Sequence, residues 1–197
     1  MPTIVCIDAN IGAGKSTLLA KLAERGCTVL QEGVEHWGDI LQRFYHDPAR
    51  WAFSLQVAIA LDMARQYDKM SSMVEEEVVF VERGPHSAMC FVRNSVQAGH
   101  MDQEELKLYT KMHNVLGWKP DVLVVIDVDT NTCLQRIKQR NRAGEDALDL
   151  NYLVAIDTEH KKMISALSDT TMSIIRLDGR KSPDVLVKDV LDAFRTL

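Results

Sequence analysis

A strand-like run, Thr3–Asp8, passes directly into Ala9-Asn10-Ile11-Gly12-Ala13-Gly14-Lys15-Ser16-Thr17. From Ser16 to Arg25, Leu18, Leu19, Leu22 and Ala23 recur at helical spacing, and Gly26 stops them. A strand, a turn of small residues and a helix in this order make a phosphate loop in all but its first position, where Ala9 stands for Gly. Small residues let successive backbone N–H groups curl around phosphate oxygens, and the helix beginning there turns its positive end to the same anion. Lys15 is spaced to reach the β- and γ-phosphates of a nucleotide, and the Ser16 hydroxyl to ligate Mg²⁺. The stretch from Asn10 to Thr17 is therefore the candidate nucleotide-binding segment. A plain Gly-rich turn is the alternative, and the strand–loop–helix context argues against it. The entry to the loop is unusual, because a Cβ at Ala9 restricts positive φ.

The rest of the chain alternates in the same way. Thr28–Gln31, Val78–Glu82, Val122–Asp127 and Met172–Leu177 read as further strands. Trp37–His46, Pro48–Met73, Pro85–Gln97, Asp102–Leu116, Thr132–Asn141, Asn151–Leu167 and Pro183–Phe194 read as helices. Alternation of this kind predicts a single α/β domain spanning residues 1–197, with a five-stranded parallel sheet flanked by helices. Ligands of such sheets bind beyond the carboxyl ends of the strands, so the segments from Asp8, Glu32, Glu82 and Asp127 onward are the places to search.

Composition narrows the function classes. Lys and Arg number 23 against 28 Asp and Glu, a net charge of −5, which disfavours nucleic acid or an anionic membrane as partner. The apolar run Val122–Ile126 is far short of a membrane span, and no basic segment followed by a long apolar stretch opens the chain. Cys6, Cys27, Cys90 and Cys133 are too scattered for a zinc knuckle or redox pair, so free thiols in a reducing, cytoplasmic compartment are expected. The Asn-Lys-x-Asp guanine motif is absent, which disfavours a GTPase.

Carboxylates at strand ends supply the next candidates. Glu32 follows the second strand, and Glu82-Arg83 ends the third. One such carboxylate can take the proton of a hydroxyl attacking a γ-phosphate, and another can hold Mg²⁺; either can equally be a rim charge. For Asp127 and Asp129, helix capping competes with a metal role. Further on, Arg136, Lys138, Arg140 and Arg142 precede Ala143-Gly144. Arg136 and Arg140 share a helix face, and the cluster reads either as a solvated face or as a cationic lid over transferring phosphates.

Taken together, these residues resemble the deoxyribonucleoside kinase family. The resemblance runs from the phosphate loop to about Leu167. Its specific part is the ordered set Glu32-Gly33-Val34 with Trp37, Tyr45-His46-Asp47-Pro48 with Trp51 and Gln56, Glu82-Arg83 with Ser87, and Arg136 to Arg142 followed by Glu145. The resemblance implies a P-loop kinase fold, a homodimer built on helices, ATP as phosphoryl donor and Mg²⁺. It implies Glu32 as general base for the 5′-hydroxyl with Arg83 beside it, and Glu82 with Ser16 at the metal. Gln56 would pair with the base edge, Trp37 would line the nucleoside pocket, and Tyr45 and Glu145 would bind the 3′-hydroxyl. Arg136, Arg140 and Arg142 would form a lid over residues 136–146.

This chain departs from the family pattern at several points. Gly33 stands where the family usually has Pro, Gly84-Pro85 follows the Glu-Arg pair in the manner of the distant herpesvirus enzymes, and Gly144 replaces an acidic residue. The base-stacking aromatic is expected at Phe91, although a gapless alignment points to Val92. Met63 and Ala88 match positions that are Arg and Asp in deoxycytidine kinase, which implies room for the methyl group of thymine; simple core filling by Met63 is the alternative. The competing functions are a nucleoside monophosphate kinase, for which Glu32–Asp47 offers only Arg43 with His36 and His46, although Arg65 could contribute, and a non-catalytic ATP-binding module. The absence of paired cysteines sets aside the zinc-containing thymidine kinases.

Overall fold

In the strand Thr3–Asp8 (β1) every residue after Thr3 is buried, as a strand covered on both faces requires. The computed structural model describes residues 1–74, 77–142, 144–168, 170 and 172–194. Four more strands join β1: Thr28–Leu30 (β2), Val78–Glu82 (β3), Val122–Asp127 (β4) and Ser173–Asp178 (β5). All pairings are parallel, in the order β2-β3-β1-β4-β5. The chain passes from β1 to β2 and back to β3 on one side of β1, then crosses to β4 on the other, so a crevice opens at the carboxyl end of β1, where the phosphate loop lies.

The helices are Lys15–Glu24 (α1), Val34–His46 (α2), Pro48–Ser71 (α3), Pro85–Gln97 (α4), Gln103–Leu116 (α5), Thr130–Arg140 (α6), Leu150–Ser168 (α7) and Pro183–Phe194 (α8). Side chains of successive strand residues sort to opposite faces. Val5, Ile7, Val122, Val124 and Ile126 pack with Leu18, Leu19 and Leu22 of α1 and Leu186, Val187 and Val190 of α8. Cys6, Leu123 and Val125 meet Cys90 of α4 with Met163 and Ile164 of α7. Each fully buried leucine in these layers contributes roughly 1.5–3 kcal/mol. A separate helical cluster, with Trp37, Phe44, Leu55, Val92 and Tyr109, joins α2, α3, α4 and α5.

Helix starts follow local chemistry where it exists. Asp47 caps α3 by accepting from Arg50 N, with Pro48 in the first turn. Asp102 and Glu105 form a reciprocal capping box on α5. Asp129 caps α6 through Thr132 N, and Asp127 pairs with Arg176 at 2.9 Å, so the capping reading of this pair holds for Asp129. One expectation is corrected: helix α2 begins at Val34, ahead of the expected Trp37. A short 3-10 turn at Glu145–Ala147 follows α6. Ala143, part of the expected lid, lies outside the described residues. The four cysteines are free thiols. Among the described residues no helix is long and apolar enough to cross a membrane.

Candidate active site

The phosphate loop closes against α6 rather than standing free. Gly12 has φ 78°, and a Cβ there would sit 2.5 Å from the Cys133 carbonyl oxygen, so both its dihedral and its contact require glycine. Ala9 is not among the residues with positive φ and is buried in the core, which removes the steric question raised by its Cβ. Asn10 braces the loop from behind: its Nδ2 donates to Leu153 O and its Oδ1 accepts from Ile11 N. Lys15 folds back so that Nζ donates to Ala9 O at 3.3 Å and Asn10 O at 3.1 Å. Burial and the nearby Arg83 guanidinium lower its pKa to about 8, against the opposing pull of Glu82, Glu32 and Asp8.

Arg83 is the electrostatic centre of the site. Its backbone is left-handed, φ 62°, a conformation that costs a β-carbon-bearing residue on the order of 1 kcal/mol. The side chain is fixed on several sides. Nε lies 2.9 Å from Glu32 Oε1, and a terminal nitrogen donates to Ala9 O at 3.1 Å and Ser87 Oγ at 3.3 Å. Burial alone would lower the Arg83 pKa, but Glu32, Asp8 and Glu82 outweigh it and hold the guanidinium charged. Burial raises the Glu32 pKa, and Arg83 opposes the rise. Behind Arg83, Ser87 Oγ donates to Asp8 Oδ1 at 2.9 Å and lies 3.3 Å from His160 Nε2. Burial lowers the His160 pKa, so the ring is neutral near pH 7.

Ser16 Oγ donates to Glu82 Oε1 at 2.8 Å beside the loop. A hydroxyl and one carboxylate are hard oxygen donors that suit Mg²⁺, which takes few protein ligands and completes its shell with phosphates and water. Among the described residues no group of three or more His, Cys, Asp or Glu forms a metal cage.

Three arginines of α6 and the segment after it reach the same cavity. Arg136 donates to Ala13 O and Gly179 O. Arg140 grips Glu145 through two bonds of 3.2 and 2.6 Å, and Arg142 approaches the same carboxylate at 3.9 Å. Tyr45 packs near this group; burial and Glu145 push its pKa up to about 12.

One cavity of about 490 Å³ joins these parts. It is lined by Ile11, Gly12, Gly14, Lys15, Ser16 and Thr17, by Glu32, Glu82 and Arg83, and by Arg136, Arg140, Arg142 and Glu145. Trp37, Tyr45, Gln56, Met63, Ala88 and Phe91 also line it. Of the residues expected at the site, only Asn10 and Ala13 do not face the cavity; both support the loop from the core side. Phe91 lines it with Arg83 stacked 4.8 Å from the ring centroid, whereas Val92 is fully buried elsewhere. Sequence reasoning missed Leu41, Phe44, Leu55, Ile59 and Tyr152, which also line it. It missed the His160 contact too. None of these carries a local signal, because an apolar or aromatic residue on a helix reads as core.

A family model described as "Deoxynucleoside kinase" matches residues 5–195. The chain belongs to the deoxynucleoside kinase family. This kinase is 29% identical over 193 residues to protein 143R of Invertebrate iridescent virus 6, covering 97% of this chain and 96% of that one. It is 30% identical over 176 residues to human mitochondrial thymidine kinase 2, covering 82% of this chain and 64% of the human protein. Among solved structures, a Mycoplasma mycoides deoxyadenosine kinase with dCMP and dCDP bound superposes with a TM-score of 0.89 at 19% identity, covering 99% of this kinase and 100% of the other chain. That likeness establishes the P-loop kinase fold.

Proposed function

We propose that this kinase transfers the γ-phosphoryl group of Mg²⁺·ATP to the 5′-hydroxyl of deoxyribonucleosides in nucleotide salvage, with thymidine among its preferred acceptors. The observation that carries the reading is that one cavity is lined both by the phosphate-loop Lys15 with three arginines and by a largely apolar wall of Trp37, Met63, Ala88 and Phe91, and that the Glu32–Arg83 pair lines it too. A nucleoside against the apolar wall meets its 5′-oxygen at Glu32, which takes the proton as the oxygen attacks. Arg83 holds that carboxylate in place. Lys15, Arg136, Arg140 and Arg142 spread over the charge of the transferring group. Tyr45 and Glu145 orient the sugar through its 3′-hydroxyl. Ser16 and Glu82 would hold Mg²⁺, which would supply charge neutralisation at the phosphates.

Base choice rests on three side chains. Gln56 is buried in the cavity wall with Oε1 lacking a partner among the described residues, so its amide is free to pair with a base edge. Met63 and Ala88 add no polar group. An apolar wall favours the methyl of thymine and offers nothing to an exocyclic amine. Phe91 presents a ring for stacking.

Among the described residues that line the cavity, Arg83 is the one cation beside Trp37, Gln56, Met63, Ala88 and Phe91 outside the phosphate loop and the Arg136–Arg142 segment, and Arg43 is turned onto Trp51 at 4.9 Å, which weighs against an acceptor that carries its own phosphate. The test is transfer from Mg²⁺·ATP to thymidine, deoxycytidine, deoxyadenosine, deoxyguanosine and thymidine monophosphate. Product at the nucleoside 5′-position, with thymidine among the best acceptors, is expected. Activity on the monophosphate alone would overturn the acceptor assignment, and nucleotide binding without transfer would favour the non-catalytic module. A homodimer is part of the same proposal; sedimentation should give twice the mass of 22.2 kDa.

The Lys15 pKa of about 8 has a measurable consequence. Arriving phosphates favour the ammonium form, so ATP binding above neutrality takes up protons and its affinity falls as pH rises through about 8. Calorimetric titration in buffers of different ionisation enthalpy reads that uptake; equal heats in all buffers would contradict it.

A further inference from the structure

Glu32 is the middle residue of the three-residue connection between β2 and α2. Both of its neighbours are fastened to one face of α3. Gln66 Nε2 donates to Gln31 O at 3.0 Å. Gly33 N donates to Asp62 Oδ2 at 3.2 Å, and His36 Nδ1 lies 2.5 Å from Asp62 Oδ1. Asp62 and Gln66 are one helical turn apart and touch each other at 3.5 Å. Helix α2 has no side-chain cap of its own at Gly33. The Asp62 carboxylate, buried to 5% exposure, stands at its positive end and serves as that cap from another helix.

This arrangement accounts for the glycine where the family usually has proline. A Cβ on Gly33 would lie 2.5 Å from Asp62 Oδ2 and 2.7 Å from His36 Nδ1. Proline would also remove the N–H that Asp62 receives. The backbone itself raises no objection: Gly33 has φ −77°, within the range of proline. The obstacle to proline is therefore the carboxylate. Where a proline ring would stiffen the base-bearing loop through its own φ, this chain stiffens it by tying it to α3. That helix also carries Gln56, Ile59 and Met63 of the nucleoside pocket.

We propose that Asp62, seconded by Gln66 and made possible by Gly33, is a positioning residue that clamps the Glu32 loop onto the nucleoside-binding helix. The inference rests on Glu32 being the general base. Asp62 touches no reacting atom; its effect is on where the Glu32 carboxylate stands. Misplacing a reacting group by about 1 Å costs up to about 10²-fold in rate, so loss of the clamp should fall on kcat.

The test is steady-state kinetics on Asp62→Ala, Gly33→Pro and the double variant, each with Glu32 intact and with Glu32→Gln. Asp62→Ala is expected to lower kcat about 10- to 100-fold with the KM for ATP little changed. Gly33→Pro alone should lose at least as much. The double variant should regain most of the rate, because the ring now enters vacated space and restores stiffness by the other route. In the Glu32→Gln background, Asp62→Ala should add nothing further. Wild-type kcat in Asp62→Ala, or a loss that the Gly33→Pro change fails to rescue, would overturn the clamp. If Asp62→Ala does not fold, Asp62→Leu removes both acceptor oxygens at similar volume and should show the same loss of kcat, while Asp62→Asn, which keeps an acceptor for Gly33 N, should retain most of the rate; an unchanged kcat in Asp62→Leu overturns the proposal equally. Failure of the base assignment looks different: Glu32→Gln would itself retain wild-type rates, whatever the Asp62 variants do.

Discussion

Glu32→Gln is expected to lower kcat by about 10²–10⁴-fold while leaving KM for both substrates nearly unchanged. The amide keeps the shape of the carboxylate and an oxygen for Arg83 Nε, now 2.9 Å away, so the site should stay assembled. What it removes is the ability to accept a proton. The pH profile carries a second signature. Burial places the Glu32 pKa above that of an ordinary glutamate, and a base must be ionised to act. Activity should therefore fall as pH drops through that raised value, and the acidic limb should vanish in the variant. Rapid-quench measurement of the transfer step against pH separates this from slow product release. A variant with the same acidic limb as the parent would place the base elsewhere.

The second large effect is expected at Lys15, and there activity and stability part company. Lys15→Met should cost about 10²–10³-fold in kcat, the scale of removing one donor aimed at developing charge. Folding stability should hold or rise. Lys15 is a buried ammonium whose hydrogen bonds go to two backbone carbonyls rather than to a carboxylate. Both carbonyls keep another donor when it leaves: Ala9 O retains Arg83, and Asn10 O retains Ala13 N. Methionine fills similar space without the desolvation cost of a charge. Thermal unfolding of the ligand-free protein should give a Tm equal to or above the parent's. A large fall would mean that the ammonium holds the loop together.

Arg83→Met should behave oppositely, because its removal strands Glu32 and Asp8 without their cation, a change that costs about 3–5 kcal/mol when a buried pair is broken. The two cations differ in what they were placed to serve.

The sequence made much of this legible. Val122–Asp127 is apolar without interruption because β4 is covered on both sides, and the phosphate loop announced itself through its spacing. The start of α2 was misjudged because its cap is supplied by Asp62, some thirty positions away in the chain. No local pattern reports a cap lent by another helix. The choice between Phe91 and Val92 needed the rotation of α4, since neighbouring helical residues point about 100° apart. Asp8, Ser87 and His160 come from β1, α4 and α7 and meet only in the folded chain. Arg83 gave no hint of its left-handed backbone, since nothing in an arginine favours one.

The place of β1 in the sheet bears on how the two ends of the site persist in time. Its amides and carbonyls are locked between β3 and β4, so they exchange with solvent only when the whole domain opens. The phosphate loop, hung from that strand, inherits its permanence. At the opposite wall, Glu145–Ala147 is a single turn whose backbone bonds close within a few residues, from Glu145 N to Arg142 O and from Leu148 N to Glu145 O. Breaking those bonds exposes little and releases no strand. The kinase thus holds its phosphate loop at the slowest-opening point of the fold, whereas the Glu145 wall of the cavity is held chiefly by the grip of Arg140, so that wall can open and re-form within the lifetime of an intact phosphate loop.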